Sequence, residues 1–183
     1  GLADAVSQGV GAQAHAQADG EGGEVAALAV GLREGLDADY LAYRVGQTAY
    51  LGARLDEAGV PYQRPAGGHA IFVDAGRLLP HIPWHQFPGH ALTIELYIEA
   101  GIRATDIGSY LMDRDPVTGE AQQAPFEFTR LALPRRTYTQ AHLDVIADAL
   151  ASVARRAETV KGYEITWEPK VLRHFTSKLR PIG

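Results

Sequence analysis

The stretch FEFTRLAL occupies residues 126–133 and is followed by Pro134. Its aromatic and aliphatic side chains favour a β-strand, and the proline ends that strand. Side chains alternate between the two faces of a strand, so Leu131 and Leu133 share one face while Arg130 and Ala132 share the other. The stretch therefore predicts a strand with one apolar face and with an arginine on the opposite face.

Helical patterns lie on both sides of this strand. After it, Thr139 is a suitable N-cap, and apolar residues recur at helical spacing to about Thr159. The remaining predicted elements are helices 24–36, 37–58 and 89–100, strands 60–63, 70–73 and 102–107, a proline-rich loop 78–88, and extended segments 163–167 and 171–179. This order predicts a mixed α+β domain in which helices pack on a small sheet.

Composition narrows the classes of protein to which the chain can belong. Of its 183 residues, 46% are hydrophobic and 21% are charged, as in a globular domain, whereas residues 1–23 have the small-residue composition of a flexible arm or linker. The absence of cysteine excludes thiolate metal sites and cysteine nucleophiles. A net charge of −5 argues against a nucleic-acid partner, and the sequence has no apolar run of the roughly 20 residues that cross a bilayer. We therefore expect one domain over residues 24–183, with a cytoplasmic location and no membrane partner.

Arg130 is the candidate site residue in the central strand. A buried guanidinium without an anionic partner is costly, so an arginine among apolar residues needs a carboxylate beside it. That carboxylate can belong to an acidic residue of the chain, as a structural salt bridge. It can also belong to a bound small molecule, which the planar guanidinium would hold with two parallel hydrogen bonds. The residues alone leave both alternatives open.

Other polar residues carry weaker signals. The turn GGH at 67–69 is not a GxGxxG motif and has no phosphate-binding lysine, so its histidine is expected to be a supporting hydrogen-bond partner. His81, His85 and His90 lie in a proline-broken segment without the spacing of a zinc site, and no metal site is expected there. His174 lies in a C-terminal segment whose aromatic residues predict packing; it can be a surface residue or a proton donor in a cleft.

Five blocks of the sequence resemble the C-terminal part of the β-eliminating lyase family. They are PAGGHAIFVDA (65–75), QFPGHAL (86–92), ELYIEAGIR (95–103), RLALPRRTYT (130–139) and WEPKVLRHFT (167–176). The resemblance begins at about Glu24 and reaches the end of the chain. It implies the smaller, C-terminal domain of a pyridoxal-phosphate enzyme of fold type I, the aspartate aminotransferase fold, in which a separate large domain carries the Schiff-base lysine.

The resemblance also implies roles for individual residues. Arg130 is expected to bind the α-carboxylate of an amino-acid substrate, and His174 and Phe175 to enclose the side chain of that substrate. Family members that cleave tyrosine have phenylalanine in place of His174 and arginine in place of Ile107. These two residues therefore indicate the members that cleave L-tryptophan to indole, pyruvate and ammonia. A tyrosine phenol-lyase or a cysteine-conjugate C–S lyase of the same family is one alternative, and a non-catalytic binding or assembly module is another.

The lysines of the chain, Lys161, Lys170 and Lys178, do not match the Schiff-base lysine of the family. The resemblance consequently implies that the chain contributes substrate contacts but no catalytic, cofactor-binding or metal-binding residue. A lone chain of this kind is expected to be inactive. Its expected partners are the amino-acid substrate and either a large domain or further copies in a homo-oligomer.

Overall fold

A computed structural model describes residues 21–134 and 136–183. The chain divides into two compact units, residues 1–44 and 45–183. Helix α1 (Glu21–Glu34) lies in the first unit, and helix α2 (Ala38–Glu57) begins there and continues into the second. The predicted N-cap of α2 is confirmed, because the Asp37 carboxylate accepts a hydrogen bond from the Tyr40 amide at 2.8 Å. Residues 21–23, predicted to end a flexible arm, are helical; residues 1–20 of that predicted arm lie outside the described residues.

A three-stranded antiparallel sheet forms the centre of the second unit. Its strands are β1 (Ala70–Asp74), β2 (Thr105–Ile107) and β3 (Phe128–Ala132), in the spatial order β1-β3-β2. The central strand β3 is the one that the stretch at 126–133 predicts. Within it, Arg130 pairs with Phe72 on one side and with Thr105 on the other.

Helices cover one face of this sheet. They are α3 (Ala75–Leu78), α4 (Pro88–Ala100) and α5 (Gln140–Arg155). Thr129 and Leu131 of β3 are buried on this side, where the Thr129 hydroxyl donates to the Gly89 carbonyl at 2.8 Å. The core also contains fully buried leucines of α2, α4 and α5: Leu51, Leu55, Leu92, Leu96, Leu143 and Leu150. The predicted α+β class and the predicted sidedness of β3 are thus confirmed.

The C-terminal part folds differently from its prediction. Strands β4 (Tyr163–Trp167) and β5 (Lys178–Pro181) pair antiparallel, as a second, two-stranded sheet. Between them lies a short helix, α6 (Arg173–Thr176), where the sequence predicted an extended segment. That prediction was wrong because Leu172 turns the chain with a left-handed backbone (φ 54°) and Arg173 then buries its side chain.

Smaller differences occur at the ends of elements. Segment 60–63 forms a single bridge, Tyr62 to Val73, rather than a strand, and strand 102–107 shortens to Thr105–Ile107. Two short 3₁₀ helices, Trp84–Gln86 and Ala157–Thr159, complete the described elements. Within the residues described, no helix combines the length and the apolar character needed to cross a membrane.

Candidate functional site

Arg130 lies at the middle of β3, on the face of the sheet opposite the helices. Its side chain is half-buried, and its Nε atom is buried without a hydrogen-bond partner in the described part of the chain. Across residues 21–134 and 136–183, no acidic side chain forms an ion pair with it. An unsatisfied buried donor on a cation is unfavourable unless a ligand completes it. Of the two alternatives that the sequence left open, this environment favours an external carboxylate over an internal salt bridge.

Ile107 shares this face of the sheet with Arg130. Strand pairing puts Ile107 opposite Phe128 and Thr105 opposite Arg130, so the four side chains point to the same side. We call the surface formed by Phe72, Thr105, Ile107, Phe128 and Arg130 the open face. The Phe128 ring packs edge-on against Phe72, with ring centroids 6.2 Å apart. The open face therefore combines one cationic group with an apolar, aromatic floor.

His174 and Phe175 lie together on α6, with their ring centroids 4.1 Å apart. His174 is half-buried, and its Nδ1 atom is buried with no hydrogen-bond partner among the residues that the structure describes. Phe175 is 73% exposed. The pair thus presents a large apolar ring beside an unsatisfied ring nitrogen, an arrangement that suits contact with an aromatic ligand carrying a polar atom.

Arg173, which the sequence analysis did not single out, connects the two pairs of predicted residues. It is 2% exposed and donates from Nη2 to the Ser109 carbonyl at 2.8 Å and from Nε to the Tyr110 carbonyl at 3.3 Å. Ser109 follows Ile107 by two residues. The structure therefore joins Arg130 and Ile107 through strand pairing, and it attaches the segment with His174 and Phe175 to the end of β2.

A pair of acidic residues, the buried Asp106 and the half-buried Glu127, lies next to the open-face residues in sequence and was also missed. Asp106 is 8% exposed, and burial, reinforced by the negative charge of Glu127, raises its pKa to about 7. Its Oδ2 accepts the Gly108 amide at 3.2 Å, while Oδ1 finds no partner in the described chain. Burial also raises the pKa of Glu127, against the effect of hydrogen bonds from the Ser109 hydroxyl and amide. The sequence did not reveal that Asp106 is buried, because the residues beside it in the chain do not show how deeply its side chain lies in the folded protein.

The histidines considered for a metal site have separate environments. His81 shares a hydrogen bond with the Val160 carbonyl at 2.8 Å, and the His85 ring packs against Trp84. His90 packs on Tyr110, with centroids 4.4 Å apart, and burial lowers its pKa to about 4, so it is neutral at pH 7. Each ring has a structural contact that accounts for its position.

Known proteins match this chain over most of its length. A family model described as "Beta-eliminating lyase" matches residues 10–149. Over 162 residues, the sequence is 56% identical to a tryptophanase of Haemophilus influenzae (strain 86-028NP) and 56% identical to a tryptophanase of Escherichia coli O157:H7. Each match covers 88% of this chain and 34% of the relative. The chain thus spans about a third of the length of the curated relatives it matches.

Proposed function

Because this chain belongs to the β-eliminating lyase family, we propose that it forms part of a tryptophanase-like enzyme that cleaves L-tryptophan to indole, pyruvate and ammonia. In this proposal it is the C-terminal, smaller domain of a fold-type I protein. A large domain or further copies of the chain complete the enzyme, and the location is cytoplasmic. The observation that carries the proposal is the unpartnered Nε of Arg130 on the open face.

Arg130 binds the α-carboxylate of the substrate in this proposal. The guanidinium offers parallel N–H donors that match the two oxygens of a carboxylate, and such charge-assisted pairs are among the stronger hydrogen bonds in proteins. A carboxylate there would satisfy the Nε, which has no hydrogen-bond partner among the residues that the structure describes. The carboxylate end of the amino acid would thereby be fixed over β3.

His174, Phe175 and Ile107 contact the side chain of the substrate. Phe175 and Ile107 supply apolar surface for an indole ring. The Nδ1 of His174, which no described residue contacts by a hydrogen bond, supplies a polar group for the ring nitrogen. An aliphatic residue at 107 offers no hydrogen bond to a phenolic oxygen, which supports tryptophan over tyrosine. The pocket therefore selects by apolar contact together with one polar interaction.

Pyridoxal phosphate, the cofactor that membership of this family implies, acts as an electron sink for the bond cleavage when bound. The residues of this chain do not fit as its anchor, because Lys161, Lys170 and Lys178 are all exposed and lie outside the three-stranded sheet. A Schiff-base lysine needs an amine held beside the cofactor in a desolvated pocket. We therefore assign this chain to substrate binding and not to holding the cofactor.

A chimera tests the proposed function. The matching segment of the Escherichia coli tryptophanase is replaced by this chain, and indole release from L-tryptophan is measured beside cleavage of L-tyrosine and of an S-alkyl cysteine. We expect tryptophan to be cleaved with the highest kcat/KM. Arg130→Lys is expected to lower kcat/KM by about a hundredfold, because lysine keeps the charge but loses the bidentate geometry.

Arg180→Lys is the matched control, since Arg180 is an exposed arginine whose partner is Glu164 on the neighbouring strand β4. This variant should stay within about twofold of the unsubstituted chimera. A folded chimera that cleaves none of the three substrates would contradict the proposed function. Equal losses from the two substitutions would contradict the role of Arg130.

A further inference from the structure

We propose that Arg173 is a positioning residue, which holds His174 and Phe175 against the end of β2 so that the side-chain pocket keeps a fixed place relative to Arg130. This inference rests on the proposed function, because it takes His174 and Phe175 as contacts of the substrate. Arg173 itself is 2% exposed and is therefore not accessible to a ligand. It acts through the two residues that follow it.

The first support is that the Arg173 guanidinium is buried and that each of its three nitrogens contacts an oxygen atom. Besides the carbonyls of Ser109 and Tyr110, it contacts the Glu168 carboxylate, with Nη1 and Oε2 3.5 Å apart. The Cζ atom of Arg173 lies 5.7 Å from the centre of the Phe87 ring. Each of the three guanidinium nitrogens thus has an oxygen partner, as a buried charged group requires, and these contacts determine the position of Arg173.

The second support is the rigidity of the loop that accepts these hydrogen bonds. Ser109 is fully buried, and its amide donates to both oxygens of Glu127, at 3.1 and 3.3 Å. Its hydroxyl also donates to Glu127 and accepts the Ala124 amide at 2.9 Å. Ser109, whose carbonyl accepts from Arg173, is therefore held in place by the hydrogen bonds of its own amide and hydroxyl.

The third support is where this loop is anchored. Ile107 precedes the loop on β2, and Glu127 directly precedes Phe128 of β3. The hydrogen bonds of Arg173 thus attach α6 to the two strands that carry Ile107 and Arg130. A short helix of four residues has little stability of its own, so this attachment decides where His174 and Phe175 lie.

Arg173→Lys in this chain tests the inference, because an ammonium group cannot reach two carbonyls and a carboxylate in the directions that the guanidinium fork spans. We expect amide hydrogen exchange at Phe175 and Ser177 to become about tenfold faster or more. These amides donate to Leu172 and Arg173 inside the segment. The NMR signal of the His174 ring should move towards that of a solvent-exposed histidine, while the amides of β3 keep their protection.

Arg114→Lys is the matched control. Arg114 also forms an ion pair with Glu168, and its side chain is half-exposed. Its replacement therefore perturbs the shared carboxylate but leaves the buried guanidinium of Arg173 in place. Exchange at Phe175 and Ser177 should then stay within about twofold of the original chain. If Arg173→Lys leaves the exchange and the His174 signal as they are in Arg114→Lys, the inference is overturned.

A chain that fails to fold with Arg173→Lys would lose the protection of β3 as well. Glu168→Gln then tests the inference. This substitution leaves the Ser109 and Tyr110 carbonyls in place and removes the negative charge beside Arg173. We expect a rise of roughly threefold in exchange at Phe175 and Ser177 with β3 unchanged, and no rise would overturn the inference.

A second readout separates positioning from general stability. In the chimera, Arg173→Lys should lower kcat/KM for tryptophan by about tenfold more than for an S-methyl cysteine, which has no ring for His174 and Phe175 to hold. Equal losses for both substrates would contradict the positioning role. An inactive chimera would instead count against the proposed function, while hydrogen exchange in this chain would still decide the role of Arg173.

Discussion

The guanidinium of Arg173 contacts oxygen atoms through Nε, Nη1 and Nη2, whereas that of Arg130 contacts none within the described chain. Both arginines lie in stretches with apolar neighbours, and neither stretch reveals which one has internal partners. The two carbonyl partners of Arg173, those of Tyr110 and Ser109, are 63 and 64 residues away in sequence. The sequence therefore predicts that Arg130 needs an anion, but the tertiary structure decides that residues 21–134 and 136–183 supply none.

Asp106→Asn is predicted to change the dependence of stability on pH. The pKa of Asp106 is raised from its ordinary 3.8 to about 7, so the folded state holds this proton more tightly than the unfolded state. Its contribution to stability is complete below about pH 4 and is lost as the pH rises to about 7. Asparagine cannot lose a proton, so the variant should gain stability relative to the original chain over this range, by at most about 4 kcal/mol.

The measurement is urea unfolding of both chains between pH 4 and pH 8. Burial lowers the pKa of His90 to about 4, so its contribution is lost as the pH falls below about 6.5, opposite in sign to that of Asp106. Both chains contain His90, so its contribution cancels when the free energy of unfolding of the original chain is subtracted from that of the variant at each pH. Two curves that run parallel across the range would show that Asp106 does not titrate as we predict.

At the scale of elements, α5 shows how packing distinguishes positions of one helix. Leu150 is fully buried in the core, while Val145 on the same helix is 53% exposed. Leu150→Ala should lower the free energy of unfolding by about 2–5 kcal/mol, because it removes buried apolar contacts and leaves a cavity. Val145→Ala is the control and should change it by about 0.5 kcal/mol or less. Similar losses in urea unfolding would mean that α5 does not pack as described.

The elements that were predicted correctly have local signals. Gly101 ends α4 with a left-handed backbone (φ 67°), and Asp37 caps α2 through its own side chain. Helix α6 has no such signal, because its position depends on the contacts of Arg173 with a distant loop. The alternating residues at 171–179 therefore predicted an extended segment, whereas the structure has a short helix at Arg173–Thr176.

At the scale of the whole molecule, the chain corresponds to about a third of each tryptophanase it matches. The three lysines are exposed, and none of them lies on the open face. We predict that the chain by itself releases no indole from tryptophan. After incubation with pyridoxal phosphate and borohydride, mass spectrometry should find no lysine labelled at one equivalent. Stoichiometric labelling of one lysine together with tryptophan cleavage would contradict this prediction.

The sequence alone was sufficient for the α+β class, for the central strand with its arginine, and for membership of the family, because periodicity, caps and long matching blocks are local properties. The tertiary structure decided that Arg130 has no anionic partner among the described residues, that Arg173 is buried, and that burial raises the pKa of both Asp106 and the half-buried Glu127. These three features depend on how much water each charged group loses and on which atoms replace it. Residues distant in sequence supply those atoms, so folding had to bring them together before the roles of the charged groups could be assigned.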